Sequence, residues 1–367
     1  HKIFDEVVTF NDTGFHKPAK QPFIKITELL NLVIAAANKK KLEPTFFELL
    51  SAVAFKHFAD EAVDIALIET GLGGRLDSTN VITPLMTLIT QIDLDHTNIL
   101  GNTVQEIAGE KAGIFKSSIP AISAQQTADV SEVLKKVASN IGTEVKIIAQ
   151  DIECSSRFGG GIDGKQHTRI CVITEDAQYM HVPVPLNGEH QASNCALAIS
   201  AIDQLRKAGY SFDDLTLYNS LATTTIEGRM EIVWERPRIL VDGAHNPASL
   251  QTLIRSVGAH LPYDSMVCVF GCCQDKDVTE MLKRISLGAD KIIFTKARGN
   301  PRAADPDDLQ REFETISTKM TQVAHSLPEA LEIAAQAASR DDLICVTGSF
   351  YLVGETKVHL RELALKK

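Results

Sequence analysis

The chain has 367 residues, of which 44% are hydrophobic and 23% charged, a composition typical of a globular protein long enough for two domains. Its net charge of −10 argues against a general nucleic-acid-binding protein, and no apolar run approaches the length of a membrane span. The seven cysteines are scattered and lack zinc-type spacing, which indicates reduced thiols. We expect a cytoplasmic monomer that has neither nucleic acid nor a membrane as a partner.

The chain begins with a polar segment, which is followed by two helices. Residues 1–25 are rich in turn-forming residues, and we expect an irregular loop there. The first helix is predicted from Thr27 to Lys40, with Thr27 as its N-cap. The second is predicted from Pro44 to Ala59, with Pro44 just inside its start.

Residues that bind metals or protons follow two apolar runs. The runs Val63–Ile68 and Leu85–Ile92 are typical of buried strands. Glu69 follows the first run, and Asp95 and His96 follow the second. Because sites in open parallel sheets form at the carboxyl ends of strands, we expect Glu69 and His96 to lie side by side in one crevice.

A short helix after these residues carries an unusual lysine. Thr103 and Glu106 form a T-x-x-E capping box that predicts its start. The apolar face has residues at i, i+3 and i+4: Val104, Ile107 and Ala108. The next position on that face is Lys111. Burial disfavours a charged amine, so Lys111 either extends to solvent along its aliphatic stem or reacts, for instance with carbon dioxide to give a metal-binding carbamate.

The middle of the chain changes from α/β to short β segments. A strand in residues 118–124, a helix over Thr127–Ser139 and a strand at Val145–Ile148 come first. From Cys154 to Pro185 the pattern indicates an antiparallel hairpin or flap with glycine-rich turns. The segment Gly159–Lys165 has the G-x-x-x-x-G-K spacing of a phosphate loop. Glutamine follows it where serine or threonine is needed, so we interpret it as a hairpin turn.

A long helix and a domain boundary are expected next. An apolar stripe predicts the helix, and it consists of Ala192, Cys195, Ala196, Ile199, Ile202 and Leu205. Gln191 and Asn194 lie on one side near its start, where polar capping is the ordinary interpretation. The boundary is placed near Gly228, which gives domains of residues 1–228 and 229–367. An arginine at such a joint, here Arg229, is most often a structural ion-pair partner.

The last part of the chain alternates strands and helices, which predicts a parallel sheet. The predicted strands are Ile239–Val241, Met266–Phe270, Lys291–Thr295 and Leu343–Val346. Asp242 ends the first strand, Asn246 can cap the next helix, and Pro247 suits its first position. A carboxylate and a helix amino end placed together suit a ribose and phosphates, although an ordinary turn gives the same string.

Several motifs together resemble one family. They are E-T-G-L-G-G-R-L-D-S-T-N from Glu69, D-H-T-N-I-L-G-N-T from Asp95, I-A-G-E-K-A-G-I-F-K from Ile107 and D-G-A-H-N-P from Asp242. In that order they are similar to the motifs of the folylpolyglutamate synthase and dihydrofolate synthase family, relatives of the Mur ligases. Later D-K-D, R-A and T-G-S strings also fall where that family has them. The resemblance covers about Phe46 to Glu355.

The resemblance implies a metal centre and a nucleotide site. Glu69 and His96 would bind a divalent cation, Mg²⁺, and Lys111 would be a carbamylated lysine that helps to position the metal and the phosphate. These three are the implied catalytic residues. The implied ATP contacts are Asn194 with the adenine, Arg229 with the phosphates, and Asp242 and His245 with the nucleotide.

The resemblance also implies the substrate and the fold. Asp77 and Ser78 lie where relatives contact the pterin, although many relatives have alanine at the second position. The expected fold is α/β with two domains, a Mur-ligase-like central domain of the P-loop type and a Rossmann-like C-terminal domain. The family's phosphate loop, G-T-N-G-K-G-[ST], does not occur in the 367 residues. We interpret this as a missing N-terminal βα unit, and a true loss of ATP binding is the alternative.

The expected activity is that of an ATP-dependent ligase, which joins L-glutamate to a folate or dihydropteroate carboxylate through an acyl phosphate. Two alternatives stay open at this point: a Mur-type ligase for a cell-wall precursor, and a non-catalytic paralogue that binds folate. The complete L-D-S-T-N and D-G-A-H-N-P strings speak against the first alternative, and the missing phosphate loop is the only support for the second.

Overall fold

The structure, a computed structural model, describes residues 20–160 and 166–365. Twelve helices occur in these residues: α1 Lys20–Lys39, α2 Phe46–Asp60, α3 Thr97–Leu100, α4 Val104–Ala112, α5 Ala128–Asn140, α6 Glu189–Lys207, α7 Asp214–Ala222, α8 Pro247–His260, α9 Val278–Gly288, α10 Pro306–Glu314, α11 Leu327–Ala337 and α12 Phe350–Leu365. A short 3₁₀ turn spans Ser78–Val81.

Twelve strands lie in the same described residues and form three sheets. They are β1 Thr87–Ile89, β2 Ala121–Ser123, β3 Val145–Ile147, β4 Glu153–Gly160, β5 Gln166–Ile173, β6 Gln178–Val184, β7 Glu231–Glu235, β8 Arg238–Val241, β9 Met266–Phe270, β10 Lys291–Phe294, β11 Met320–Val323 and β12 Leu343–Thr347. The sheet orders are β1-β2-β3, β4-β5-β6 and β11-β10-β9-β12-β8-β7. The predicted mixed α/β fold is thus confirmed.

The first helix begins earlier than the sequence pattern predicted. Helix α1 starts at Lys20, so Thr27 lies inside it and the prediction of an N-cap there is wrong. Pro22 falls in the first helical turn, where a missing N–H removes no intrahelical hydrogen bond, and the helix can therefore extend upstream. The rest of the predicted N-terminal loop, residues 1–19, lies outside the described residues.

Helix α2 also begins at a different residue from the one predicted. Thr45 is its N-cap, and Thr45 and Glu48 form a reciprocal capping box. The predicted start with Pro44 inside the helix is therefore wrong, because the proline precedes the cap.

One predicted strand is not formed. Residues Val63–Ile68 have no strand conformation, whereas the second apolar run forms β1 over Thr87–Ile89. Leu67 within the first run is 88% exposed, so burial does not stabilise an extended conformation there. A strand also needs hydrogen bonds from a neighbour, and in the described part of the chain no strand pairs with this segment.

The chain divides into two compact units by its contacts. The first comprises residues up to Thr87 together with Thr97–Pro120 and Asp129–Glu144, and the second comprises Leu88–His96, Ala121–Ala128 and Val145–Lys367.

The six-stranded sheet of the second unit is parallel except for its edge strand β7, which pairs antiparallel with β8. Both of its faces are buried. Along β9, Cys268 and Phe270 belong to one apolar cluster, whereas Val267 and Val269 belong to the other. Successive residues of a strand point to opposite faces, so a continuous apolar run is the sequence pattern that such a strand needs.

The predicted flap is an antiparallel sheet in the second unit. Strands β4 and β5 pair from Glu153 with Ile173 to Gly160 with Gln166, which confirms a hairpin at the glycine-rich segment. Residues 161–165, in its turn, lie outside the described residues. Its buried side shares an apolar cluster with helix α6.

Candidate functional site

The turn after β8 has the conformation that the sequence predicted. Asp242 follows the strand directly, Asn246 is the N-cap of α8, and Pro247 occupies the first turn. Asn246 and Ser249 form a reciprocal capping box, with the Ser249 N–H donating to Asn246 Oδ1 over 2.8 Å. The carboxyl end of β8 therefore carries a rigid loop and a helix amino end, a combination suited to binding anions.

Asp242 is buried and bonded to the chain itself. Its Oδ1 accepts from the Ala244 N–H (2.8 Å) and its Oδ2 from the Met230 N–H (2.9 Å). Burial raises the pKa of this carboxyl, and it outweighs the two backbone hydrogen bonds and the charges of Arg229 and His245, which act in the opposite direction. Asp242 thus ties the segment around Arg229 to the end of β8.

That segment is held at further points. Gly228 has φ of 66°, and its carbonyl accepts from the Gly243 N–H over 2.8 Å. The Gly228 N–H donates to Glu231 Oε2 over 2.7 Å, and Lys357 Nζ lies 2.9 Å from Glu231 Oε1. The backbone on both sides of Arg229 is thereby fixed relative to β8 and α12.

Asp95 is the centre of a polar cluster in the second unit. Its Oδ1 lies 3.1 Å from Lys276 Nζ, and its Oδ2 accepts from Asn246 Nδ2 over 3.2 Å. His245 Nε2 lies 3.8 Å from Oδ2 and His96 Nε2 lies 4.0 Å from Oδ1. The Nδ1 of His245 donates to the Gly243 carbonyl over 2.9 Å, which orients the ring.

The charge environment of Asp95 keeps it ionised. Burial acts to raise its pKa, but the neighbouring His245, the hydrogen bond and charge of Lys276 and the charge of His96 are together stronger and hold the pKa well below its usual range. The sequence pattern placed Asp95 after a strand, and Lys276 lies in the D-K-D string, but the pattern did not predict that Asp95 and Lys276 are in contact. The only local signal is an acidic residue beside His96, which is too common to identify a partner.

His96 and Glu69 are both exposed. His96 has φ of 50°, immediately precedes helix α3, and its side chain is 46% exposed. Glu69 lies in the irregular segment before the glycine-rich loop, and in the described residues its carboxylate accepts no hydrogen bond. Glu69 belongs to the first unit and His96 to the second. Their predicted proximity stays a prediction.

Lys111 lies in α4, beside the glycine-rich loop that follows Glu69. Helix α4 has the predicted capping box, and Ile107 and Ala108 are fully buried while Lys111 is half-buried. A Cβ on Gly74 would come within 2.8 Å of the Lys111 carbonyl oxygen, so only glycine allows this approach. The Arg75 N–H donates to the Glu110 carbonyl over 2.9 Å. The loop is thus packed on the backbone of the helix that carries Lys111.

The predicted pterin residues are used within the first unit. Asp77 caps the 3₁₀ turn, with Oδ1 accepting from the Thr79 N–H and hydroxyl and Oδ2 from the Leu72 N–H over 2.9 Å. Ser78 Oγ lies 3.0 Å from Ser51 Oγ. Asp77 therefore fastens the end of the glycine-rich loop to the turn that follows.

The predicted adenine contact lies at the start of α6. Asn194 is exposed, and its Nδ2 donates to Oε1 of the buried Gln191 over 3.3 Å. The hydrogen bond holds the Asn194 amide at the side of Gln191.

Two general features bear on function. No three His, Cys, Asp or Glu side chains of the described residues form a group that could hold a metal ion by themselves. No helix in residues 20–160 or 166–365 is long and apolar enough to cross a membrane.

Comparison with known proteins identifies two matching families. Residues 24–202 match the Mur ligase middle domain, and residues 228–350 match the Mur ligase glutamate ligase domain. A dihydrofolate synthase/folylpolyglutamate synthase of Bacillus subtilis is 34% identical over 87% of this chain and 73% of that protein. A probable bifunctional folylpolyglutamate synthase/dihydropteroate synthase of Haloferax volcanii is 32% identical over 89% of this chain, but the match spans only 38% of that longer protein.

Solved structures give the same relationship. Mycobacterium tuberculosis folylpolyglutamate synthase complexed with ADP has a TM-score of 0.82 and 29% identity, covering 92% of this chain and 77% of that one. E. coli FolC in complex with DHPP and ADP has a TM-score of 0.74 and 28% identity, covering 88% of this chain and 71% of that one.

Proposed function

Because the chain belongs to the folylpolyglutamate synthase and dihydrofolate synthase family, we propose that it joins L-glutamate to the carboxylate of a folate or of dihydropteroate at the expense of ATP. It is an ATP-dependent acid–amino-acid ligase of the Mur ligase type. Dihydropteroate and tetrahydrofolate are the two candidate substrates.

The reaction consists of two transfers. A carboxylate oxygen of the substrate attacks the γ-phosphorus of ATP, ADP leaves, and an acyl phosphate forms. The amine of glutamate, after losing a proton, attacks the acyl carbon, and phosphate leaves as the amide bond forms. Neither transfer needs a protein nucleophile, so the protein acts by positioning its substrates and by stabilising negative charge.

One observation carries this proposal. Asp95, Asn246 and Lys276 come from three family motifs and meet in one hydrogen-bonded cluster. Asn246 is 151 residues from Asp95 in the chain, and Lys276 is 181 residues from it. His245 and His96 border the same carboxylate. Cations gathered in a chain of net charge −10 are what a phosphate-handling site requires.

Four residues are proposed to bind ATP. Arg229 and His245 suit the phosphates, because one is always charged and the other lies at the loop before the α8 amino end. Asp242 is proposed to act in one of two ways. It holds the loop that carries His245 in place, or it accepts hydrogen bonds from the ribose with its remaining lone pairs. The exposed Asn194 amide is proposed to contact the adenine.

Three residues are proposed to hold Mg²⁺ and to be catalytic: Glu69, His96 and a carbamylated Lys111. The donor set fits a divalent cation, because an exposed carboxylate and a carbamate offer oxygen ligands and His96 an exposed imidazole. When bound, the cation would neutralise the negative charge that develops on the phosphate oxygens during transfer. A carbamate on Lys111 would replace a cation, which the metal would repel, by an anion.

Further parts of the proposal concern substrate, domains and location. Asp77 and Ser78 are proposed to lie at the pterin. We propose domains of residues 1–228 and 229–367, supported by a glutamate ligase domain match that begins at residue 228. We also propose a cytoplasmic monomer, and the seven cysteines, which are all free thiols, support a reducing compartment.

The test is an assay of ADP release. We expect release only when ATP, glutamate, Mg²⁺ and a pteroate or folate acceptor are all present, and a product that is one glutamate longer by mass. Release that is independent of glutamate would contradict the ligase activity. Comparing dihydropteroate with tetrahydrofolate would identify the acceptor.

Calorimetric titration tests the proposed nucleotide contacts directly. Binding of ATP or ADP that His245→Ala weakens would support the ligase, whereas folate binding without any ATP or ADP binding would contradict the proposed nucleotide site.

A further inference from the structure

Phe350, which no motif of the sequence analysis included, contacts both parts of the proposed nucleotide site. It begins helix α12, and its side chain is 45% exposed. The guanidinium carbon of Arg229 lies 4.7 Å from the centre of the Phe350 ring. The ring of His245 lies 6.1 Å away, tilted by 49°.

One glycine, Gly243, makes room for the aromatic ring, and a second, Gly228, lies beside it. A Cβ on Gly243 would lie 2.3 Å from Phe350 Cε1, and one on Gly228 would lie 3.5 Å from the same atom. The two glycines are joined by the hydrogen bond from Gly243 N–H to the Gly228 carbonyl. The ring therefore lies against the backbone of the two segments that carry Arg229 and His245.

The exposure of Phe350 argues against a role in the core. Leu352 and Val353, on the same helix, are the residues that fill the apolar cluster beneath the sheet. A phenylalanine that is nearly half exposed gains less free energy from burial than a fully buried one. The face of the Phe350 ring instead contacts the guanidinium of Arg229. The ring offers Arg229 a platform, and the long side chain would otherwise sample many rotamers.

We propose that Phe350 is a positioning residue that fixes the guanidinium of Arg229, and secondarily the imidazole of His245, in the orientation that ATP binding requires. The inference rests on the proposed nucleotide role of Arg229. Phe350 is proposed to act through Arg229 and His245. A planar guanidinium stacked on a ring keeps its N–H edge free, so stacking and phosphate binding are compatible.

The first test is nucleotide binding by substituted whole chains. Phe350→Leu should weaken ADP binding about two- to tenfold, the loss expected for a cation–π contact at a half-exposed position. It should raise the KM for ATP by a similar factor and change the kcat little. Phe350→Tyr, which keeps an aromatic face, should bind ADP as the natural chain does. Tyr351→Leu is the matched control, because Tyr351 is the next residue of α12 and is 52% exposed.

A double-substitution cycle gives a readout that is independent of ATP. Phe350→Leu and Arg229→Gln, alone and combined, should be non-additive in urea unfolding, with a coupling of about two- to fivefold in the unfolding equilibrium constant. The same pair should be non-additive in ADP affinity. Tyr351→Leu combined with Arg229→Gln should be additive.

The outcomes separate the two ideas. Additive effects of Phe350→Leu and Arg229→Gln on unfolding would overturn the positioning role alone. The same conclusion would follow if Phe350→Leu left the ADP affinity unchanged while Arg229→Gln lowered it. An Arg229→Gln chain with unchanged ADP affinity would instead remove the proposed nucleotide role of Arg229, and a persisting unfolding coupling would still support the stacking.

Discussion

The carboxylates of the buried Asp242 and the half-buried Asp95 differ in the direction of their pKa shift, and their partners explain why. The largest influence on both is burial, which raises the pKa. Around Asp242 the opposing groups are mainly neutral backbone N–H donors, and the pKa stays raised. Around Asp95 the ammonium of Lys276 and two histidines are close enough to reverse the shift. The neighbours of Asp95, two of which come from distant loops, thus favour its charged form against the effect of burial.

At Lys111, the proposal requires an anion rather than a cation. Lys111→Ala should nearly abolish glutamate-dependent ADP release, and Lys111→Arg should not restore it, because arginine stays charged and cannot form a carbamate. A small carboxylate added to the Ala variant should partly restore release. ¹³C NMR in the presence of ¹³CO₂ should show a carbamate signal in the natural chain only. An Arg variant with near-normal release would remove the metal-bridging role.

At Asp77, acid stability is expected to depend on one carboxylate. Burial acts to raise its pKa, but hydrogen bonds from Thr79, Leu72 and Gly71 lower it below the ordinary value of 3.8. The stability it contributes is therefore complete above pH 3.8 and is lost as the pH falls through the folded-state pKa. Asp77→Asn should make the unfolding free energy less dependent on pH in this acidic range, as measured by urea unfolding. Thr79→Val should be intermediate, and an unchanged slope in both would contradict this role.

At the scale of elements, loops after strands determine the site. The loop after β1 supplies Asp95, the loop after β8 supplies Asn246 at the N-cap of α8, and the loop between β9 and α9 supplies Lys276. Each loop is short and anchored by a strand at one end and, for two of them, by a helix cap at the other. The carboxyl ends of strands thereby bring residues from separate motifs together.

The contact of these loops has a measurable effect on stability. Asp95→Ala leaves Lys276, whose side chain is only 14% exposed, without its carboxylate partner. We expect a loss of about 1–3 kcal/mol in the free energy of unfolding, because a partly buried charge is left unpaired. Asp308→Ala is the matched control, since its partner Arg311 is 75% exposed and solvent screens such a pair, so the unfolding free energy should change little. Equal effects of the two substitutions would show that the Asp95 contacts add nothing to stability.

At the scale of the whole molecule, the six-stranded sheet has a complete core of its own. Its two apolar clusters cover opposite faces, and their buried members come from residues 230–360 of the chain. A sheet covered on both faces satisfies the condition for independent folding of a domain. The family match to this part, residues 228–350, covers nearly the same region.

A fragment of residues 228–367 is therefore expected to fold alone. Circular dichroism should show a single cooperative thermal transition, and NMR should show dispersed amide signals. Phe270→Ala, at a fully buried position, should destabilise the fragment by about 3–5 kcal/mol. Gradual melting together with binding of a hydrophobic dye would show instead that this sheet depends on the rest of the chain.

The sequence by itself determined the local structure and the family. Helix caps at Thr103, Asn246 and Pro247, the continuous apolar strand Met266–Phe270 and the hairpin after Cys154 all follow from short-range hydrogen bonding or from the period of burial. Edge strands were missed for the same reason. Strand β11, with the sequence M-T-Q-V, is exposed or half-buried along its length, so it lacks the continuous apolar run by which a buried strand is recognised.

Only the tertiary structure decided which distant residues meet. The segment Val63–Ile68 has a strand-like pattern but no strand conformation, because pairing depends on a neighbour that no local window contains. The order of strands in the six-stranded sheet brings the Phe350 ring beneath Arg229. Asp95 follows a strand of another sheet, and its contact with Lys276 joins loops from the two sheets. Residues so far apart in the chain leave no periodic signal, and their contacts arise from the packing of the strands and helices that carry them.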